Sequence, residues 1–181
     1  MIDTEQTVVV EAPIAEVWDY VSDIERWAAL MPGMRECEVI DANDSKWTIK
    51  VGVGGLVRTV KVNVHVDQWD GPGTVLFSYA LDGDPVKGGG TYTARALGPA
   101  QTEIALKVRV EGGGPMAPMW EAMGKPLLPT LAKGFAGQLK AEIEKARAPV
   151  AGAAEASPPA GGVMAWLRSL WRALFGKREA A

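Results

Sequence analysis

The sequence predicts an α+β domain in which a curled antiparallel sheet wraps one long C-terminal helix, followed by a linker and a short amphipathic helix. Three observations carry this. Runs of alternating apolar and polar residues, punctuated by glycine and proline, fill residues 47–110. One stripe at helical spacing comes next: Leu128, Leu131, Ala132, Phe135, Leu139 and Ile143. Residues 148–162 are then mostly alanine, proline and glycine, with almost no side chain to bury. A chain of 181 residues has room for one real core plus such an appendage.

The elements follow in order. Thr7–Glu11 reads as a strand. Pro13 is tolerated in a first helical turn, and Ile14, Val17, Trp18 and Val21 continue at helical spacing, so 13–21 is a helix. Ser22 or Asp23 can cap a second short helix through Leu30, which Pro32-Gly33 ends. A meander of about six strands comes next. Trp47, Ile49, Val51 and Val53 alternate with polar residues or glycine, and Gly54-Gly55 is a hairpin signal. Val60, Val62, Val64 and Val66 form the cleanest period-two run, and Gly71-Pro72-Gly73 turns the chain. Val75, Phe77, Tyr79 and Leu81 form the next inward set. Gly88–Leu97 is a strand, Gly98-Pro99 a turn, and Ile104, Leu106, Val108 and Val110 the last alternating run. Gly112-Gly113-Gly114-Pro115 breaks the sheet. The chain is then helical to about Ala146, in a short piece over 116–124 with a restart or sharp kink near Pro126, because Pro126 and Pro129 disfavour a continuous helix. Tight turns make the strands antiparallel, and the long helix is the element large enough to cover one sheet face.

Composition narrows the function. Residues 1–147 carry 15 basic and 20 acidic residues, which argues against nucleic acid as a partner. With Cys37 as its single cysteine the chain forms no internal disulfide. The acidic N-terminal segment lacks the basic and apolar regions of a secretory signal, so the cytoplasm is the expected compartment. No cluster of residues has metal-ligand spacing. His65, the single histidine, alternates with Val64 and Val66 and faces away from the core. Asp82 and Asp84 flank Gly83 in a solvated turn. Neither Gly52–Gly55 nor Gly88–Gly90 opens a helix, so neither is a phosphate loop. No catalytic residue is assigned.

Apolar binding is better supported. Met116, Met119, Trp120 and Met123 cluster before the proline break, and methionine adapts to irregular apolar space. Val62, Val64, Phe77, Tyr79, Tyr92 and Leu106 would face them from the sheet, with Leu127 and Leu131 from the helix. These residues form either a dry core or the lining of a ligand cavity. In a cavity, Tyr79 and Tyr92 are the candidates to orient a ligand through their hydroxyls.

The last nineteen residues carry four basic residues against one acidic. At ~100° per residue, Val163, Met164, Trp166, Leu167, Leu170, Trp171, Leu174 and Phe175 share an arc of roughly 200°. Arg168 and Arg172 fall in the gap, and Lys177 and Arg178 follow. A helix of about 13 residues is too short for a bilayer core, which takes about 20. It suits the interface, with aromatics at the acyl boundary and cations at anionic headgroups. Residues 1–147 thus read as the folded domain, 148–162 as a flexible linker and 163–181 as a membrane-binding tail. The tail's alternatives are docking in a partner's groove or packing on its own domain.

The order of elements resembles the helix-grip fold of START-like (SRPBCC) lipid-binding and polyketide cyclase proteins. The stretch VEAPIAEVWDYVSDIERWAALMPGM (Val10–Met34) and the glycine-led GGGTYTARALGPAQTEIALKVRVEG (Gly88–Gly112) are similar to the G-subunit family of carbon monoxide dehydrogenase over roughly residues 5–147. That family often has cysteine after the Pro-Gly pair, where this chain has Met34, so Cys37 receives no role. The resemblance implies a ligand cavity, and a small non-enzymatic protein peripheral on the inner face of the cell membrane. It would bind an apolar lipid, an isoprenoid quinone such as menaquinone, and couple a molybdenum hydroxylase of the carbon monoxide dehydrogenase type to the respiratory chain. The alternatives are a polyketide cyclase/dehydratase-like enzyme using the same pocket, or a ligand-free membrane adaptor.

Overall fold

A computed structural model describes residues 1–53 and 55–147. The linker 148–162, the tail 163–181 and Gly54 of the expected hairpin turn lie outside the described residues. The elements run β1 (Ile2–Val10), α1 (Ile14–Val21), α2 (Ile24–Ala29), β2 (Met34–Val39), β3 (Asp44–Val53), β4 (Leu56–Asp70), β5 (Thr74–Leu81), β6 (Val86–Gly98), β7 (Gln101–Gly112) and α3 (Ala117–Arg147). The seven strands form one sheet in the order β1-β7-β6-β5-β4-β3-β2, with every pairing antiparallel. The meander builds six strands in sequence order, and β1 closes onto the last of them, Ile2 opposite Val110 and Val10 opposite Thr102.

The alternation places the core as expected. Val62, Val64 and Val66 are buried while Lys61, Asn63 and His65 are exposed. Across the layer α3 contributes Leu128, Ala132, Phe135, Ala136, Leu139 and Ile143, all buried. Its C-terminal half is tied to β1 and the chain just after it. Lys140 Nζ donates to the Val9 carbonyl at 2.6 Å, and Arg147 Nη1 donates to the Glu11 carbonyl at 2.6 Å. Glu144 Oε1 accepts from the Glu11 amide at 2.9 Å. Asp23, not Ser22, caps α2, its Oδ1 accepting from the amides of Glu25 and Arg26.

Two expectations need correction. No restart occurs at Pro126: α3 is one helix from Ala117 to Arg147 with Pro126 and Pro129 inside it. Each proline removes one amide donor, but three-residue spacing confines the loss to one side of a single turn. Thr130 Oγ1 donates to the Pro126 carbonyl at 2.9 Å. The apolar stripe from Leu128 to Ile143 then holds the helix on the sheet despite the lost bonds. The second correction concerns β2, the one meander strand that alternation did not place. Its burial is irregular, because a bulge between Met34 and Glu36 shifts its register on β3 and it lies at the sheet edge.

Candidate ligand-binding cavity

Between the concave sheet face and the first half of α3 lies a cavity of about 190 Å³. Its walls come from four directions. The strands β3, β4, β5 and β7 supply inward residues such as Ile49, Val62, Phe77 and Leu106, and α3 supplies Leu127, Leu128, Leu131 and Ala132. Trp27 of α2 and Met31 after it enclose another side. The remaining wall, formed by Arg58, Trp120 and Glu121, is partly open to solvent at the two charged side chains.

Two glycines shape the sheet side. Gly88 and Gly90 lie within β6, opposite Tyr79 and Phe77 of β5. A Cβ built on Gly90 would lie 2.5 Å from Phe77 Cζ, and one on Gly88 would lie 2.5 Å from Tyr79 Cζ and Oη. Both rings therefore lie across the neighbouring strand instead of standing up into the interior. A side chain at either glycine would meet that ring and also a backbone carbonyl of β7, that of Arg109 at Gly88 and of Lys107 at Gly90.

The ionisable groups in the wall are already engaged. Tyr79 Oη donates to the Arg109 carbonyl at 2.8 Å, and burial pushes its hydroxyl pKa up. Arg58 Nη2 pairs with Asp84 Oδ2 at 2.7 Å, and its guanidinium lies 5.2 Å from the Trp120 ring centroid. Glu121 accepts from the N-terminal amine at 2.7 Å, which holds its carboxyl below the usual range. His65 is on the opposite sheet face, exposed and 2.8 Å from Asp44 Oδ1. Among the described residues no three His, Cys, Asp or Glu side chains are grouped to hold a metal ion.

Of the residues singled out from the sequence, Val62, Val64, Phe77, Tyr79, Leu106, Trp120, Met123, Leu127 and Leu131 line this space. Three do not. Tyr92 is fully buried opposite Val75 and Leu106, one inward position past Gly90, in the packed core. Met116 precedes α3 and is 50% exposed. Met119 shares a helix face with Met123 but lies one turn nearer the helix start, where it is 43% exposed. Sequence reasoning missed Trp27, Met31, Trp47 and Arg58 as wall residues. Trp47 was visible in the alternation of its strand, whereas nothing in the spacing of Trp27 separates a cavity wall from ordinary core. The residues expected from the sequence to bind a membrane, from Trp166 to Arg178, lie outside the described residues.

Among the described residues no helix is long and apolar enough to cross a membrane. Among curated proteins none matches the chain. Solved structures share its fold. A conserved protein from Geobacillus kaustophilus is 18% identical, with a TM-score of 0.70 over 80% of this chain and 97% of its own. A START superfamily protein from Mycobacterium smegmatis is 19% identical, with a TM-score of 0.60 over 80% and 98%. An aromatase/cyclase from a Streptomyces species is 20% identical, with a TM-score of 0.57 over 83% and 98%. The fold is therefore the START-like helix grip, a curled seven-stranded antiparallel sheet with a long C-terminal helix. The model of the polyketide cyclase / dehydrase and lipid transport family matches residues 1–144, and the chain belongs to that family.

Proposed function

We propose that this protein is a non-enzymatic carrier that holds an apolar lipid in the cavity between sheet and helix. The observation that carries this reading is the wall itself: a predominantly apolar surface whose ionisable groups, Arg58, Tyr79 and Glu121, each have a partner. An empty space of this size is costly. At about 24 cal/mol per Å³ it forfeits roughly 4–5 kcal/mol relative to a filled interior. An apolar cavity of about 150 Å³ stays dry and takes up a benzene-sized molecule. The volume here suits a ring or a short branched chain, with the rest of a longer lipid leaving through the Arg58–Trp120 side. Leu56, Val57, Met116 and Met119, large apolar residues left exposed, neighbour that side in sequence. A cyclase would need a free acid or base inside, and the ionisable wall groups are already committed.

The finer reading rests on the sequence motifs. The lipid is an isoprenoid quinone such as menaquinone. The partner is a molybdenum hydroxylase of the carbon monoxide dehydrogenase type, and the tail 163–181 brings the domain to the inner face of the cell membrane. Mass spectrometry of organic extracts from protein purified without detergent tests the cargo, with a bound quinone or other lipid expected. Extracts that stay empty, together with no uptake of added quinone, would remove the carrier reading. Deleting 163–181 should lower binding to anionic vesicles by about tenfold or more. A truncated chain that still pellets with vesicles would show that the tail is not the anchor.

A further inference from the structure

The β3–β4 hairpin differs from the rest of the domain in charge. From Ser45 to Val66 it carries Lys46, Lys50, Arg58 and Lys61 and no acidic residue, in a domain with 20 acidic residues against 15 basic. Between Lys50 and Arg58 the sequence reads Val-Gly-Val-Gly-Gly-Leu-Val, without one polar side chain. Hairpin tips that face water are ordinarily polar.

The tip also stands clear of the sheet. The last β4–β5 pair is Val62 with Leu81, and one further bond joins the Asp82 amide to the Lys61 carbonyl. Beyond it the backbone of Leu56–Val60 pairs with β3 alone, an arm of about 17 Å. Leu56 is 73% and Val57 60% exposed. Leu56 shares its strand face with Arg58 and Val60, which line the cavity, so the arm overhangs the cavity's open side. Arg58, paired with Asp84 and set against the Trp120 ring, holds the base of the tip there. Met116, one turn before Trp120, and Met119 beside it are exposed on the same rim. The other end of the sheet has a different character: Glu11, Asp23, Asp41 and Asp70 stand where β1, β2 and β4 end and α2 begins.

We propose that this hairpin is a membrane-docking finger. Leu56 and Val57 enter the acyl boundary of an anionic bilayer, Lys50, Arg58 and Lys61 meet its headgroups, and the open side of the cavity faces the lipid. An apolar groove on a protein would account for the tip but not for the basic arm beneath it; an anionic bilayer accounts for both. The acidic far end then points away from the negative surface. This contact is additional to the tail and needs no cargo in the cavity.

The test uses the full chain with Cys37→Ser, so that Leu56→Cys provides a single thiol for an environment-sensitive dye. A second protein carries the dye through Leu97→Cys, an exposed position at the far end of β6. On vesicles of phosphatidylcholine and phosphatidylglycerol, the dye at position 56 should shift to the blue and be quenched by spin-labelled lipid, and the dye at position 97 should do neither. In the unlabelled full chain, Leu56→Gln with Val57→Thr should lower vesicle affinity about tenfold. Lys50→Gln with Lys61→Gln should lower it to a similar degree, at about fivefold for each lysine. All four side chains are exposed, so the variants keep the fold. Protein that sediments with vesicles while the dye at position 56 stays unshifted overturns the finger, leaving the tail as the membrane contact and the tip to a protein partner. Equal affinity for vesicles of phosphatidylcholine alone overturns the role of the cations. A chain that sediments with neither kind of vesicle overturns finger and tail together. None of these results bears on the cargo, which the lipid extracts test separately.

Discussion

Replacing Ala132 with leucine separates a true cavity from a packed core by the sign of its effect. Ala132 lies in the cavity wall on α3 and is 4% exposed. Leucine adds three carbon atoms. If they enter the 190 Å³ space without displacing a neighbour, each contributes about 0.8 kcal/mol, or about 2.4 kcal/mol together. Fixing the leucine rotamer offsets about 0.5–1 kcal/mol of this. The net expectation is stabilisation by about 1.5–2 kcal/mol. In a close-packed interior the same change costs about 1–3 kcal/mol. For a domain of this size 1 kcal/mol moves Tm by about 3–4 °C, so the expected rise is about 5 °C by thermal circular dichroism of lipid-free protein. Affinity for an apolar probe should fall about tenfold, since the leucine occupies part of the same space. A lower Tm would refute the cavity. A higher Tm with unchanged affinity would put the ligand elsewhere.

Two further substitutions probe roles that the geometry distinguishes. Tyr79→Phe should cost about 0.5–1.5 kcal/mol by deleting the bond to the Arg109 carbonyl, yet leave probe affinity within about twofold. A larger affinity loss would mean that the hydroxyl turns to the ligand. Asp44→Asn should lower the pKa of His65, which the Asp44 hydrogen bond raises most, as followed by NMR titration of the single histidine. A raised folded pKa means that the pair's stabilisation is full below the unfolded value of about 6.5 and fades as pH rises through the folded one. The variant should therefore lose stability near pH 5–6 and match the parent in alkaline solution; equal pH dependence of the two proteins would contradict the pairing.

What the sequence made legible was whatever repeats. The alternation of Val60–Val66 and Ile104–Val110 and the stripe of α3 follow from burying one face, and each appears where its period placed it. The irregular parts were not legible. The bulged edge strand β2 has no period to read. The prolines of α3 argued for a break on local grounds, and packing along the later stripe outweighed them. Nine wall residues were recognisable because inward-facing apolar positions are shared by core and cavity. The same ambiguity brought in Tyr92, which packs dry. It also hid Trp27, whose helical spacing is the same for a cavity wall as for ordinary core.

The cavity itself follows from what is absent at a few positions rather than from any apolar motif. Gly88 and Gly90 let Tyr79 and Phe77 lie across β6, where any Cβ would collide with them. On α3, Gly124 and Ala132 present almost nothing to the space between helix and sheet. A Cβ on Gly124 would approach Ile2 Cδ1 to 3.0 Å, so the helix runs close to β1 at the edge of the cavity. That approach is possible because Gly124 carries no side chain toward Ile2 and Val110. Filling such a gap with larger side chains is the simplest route to a more stable domain. With Gly124 and Ala132 on the helix and Gly88 and Gly90 behind the rings of the sheet, the chain's own side chains leave the space between the two layers unfilled.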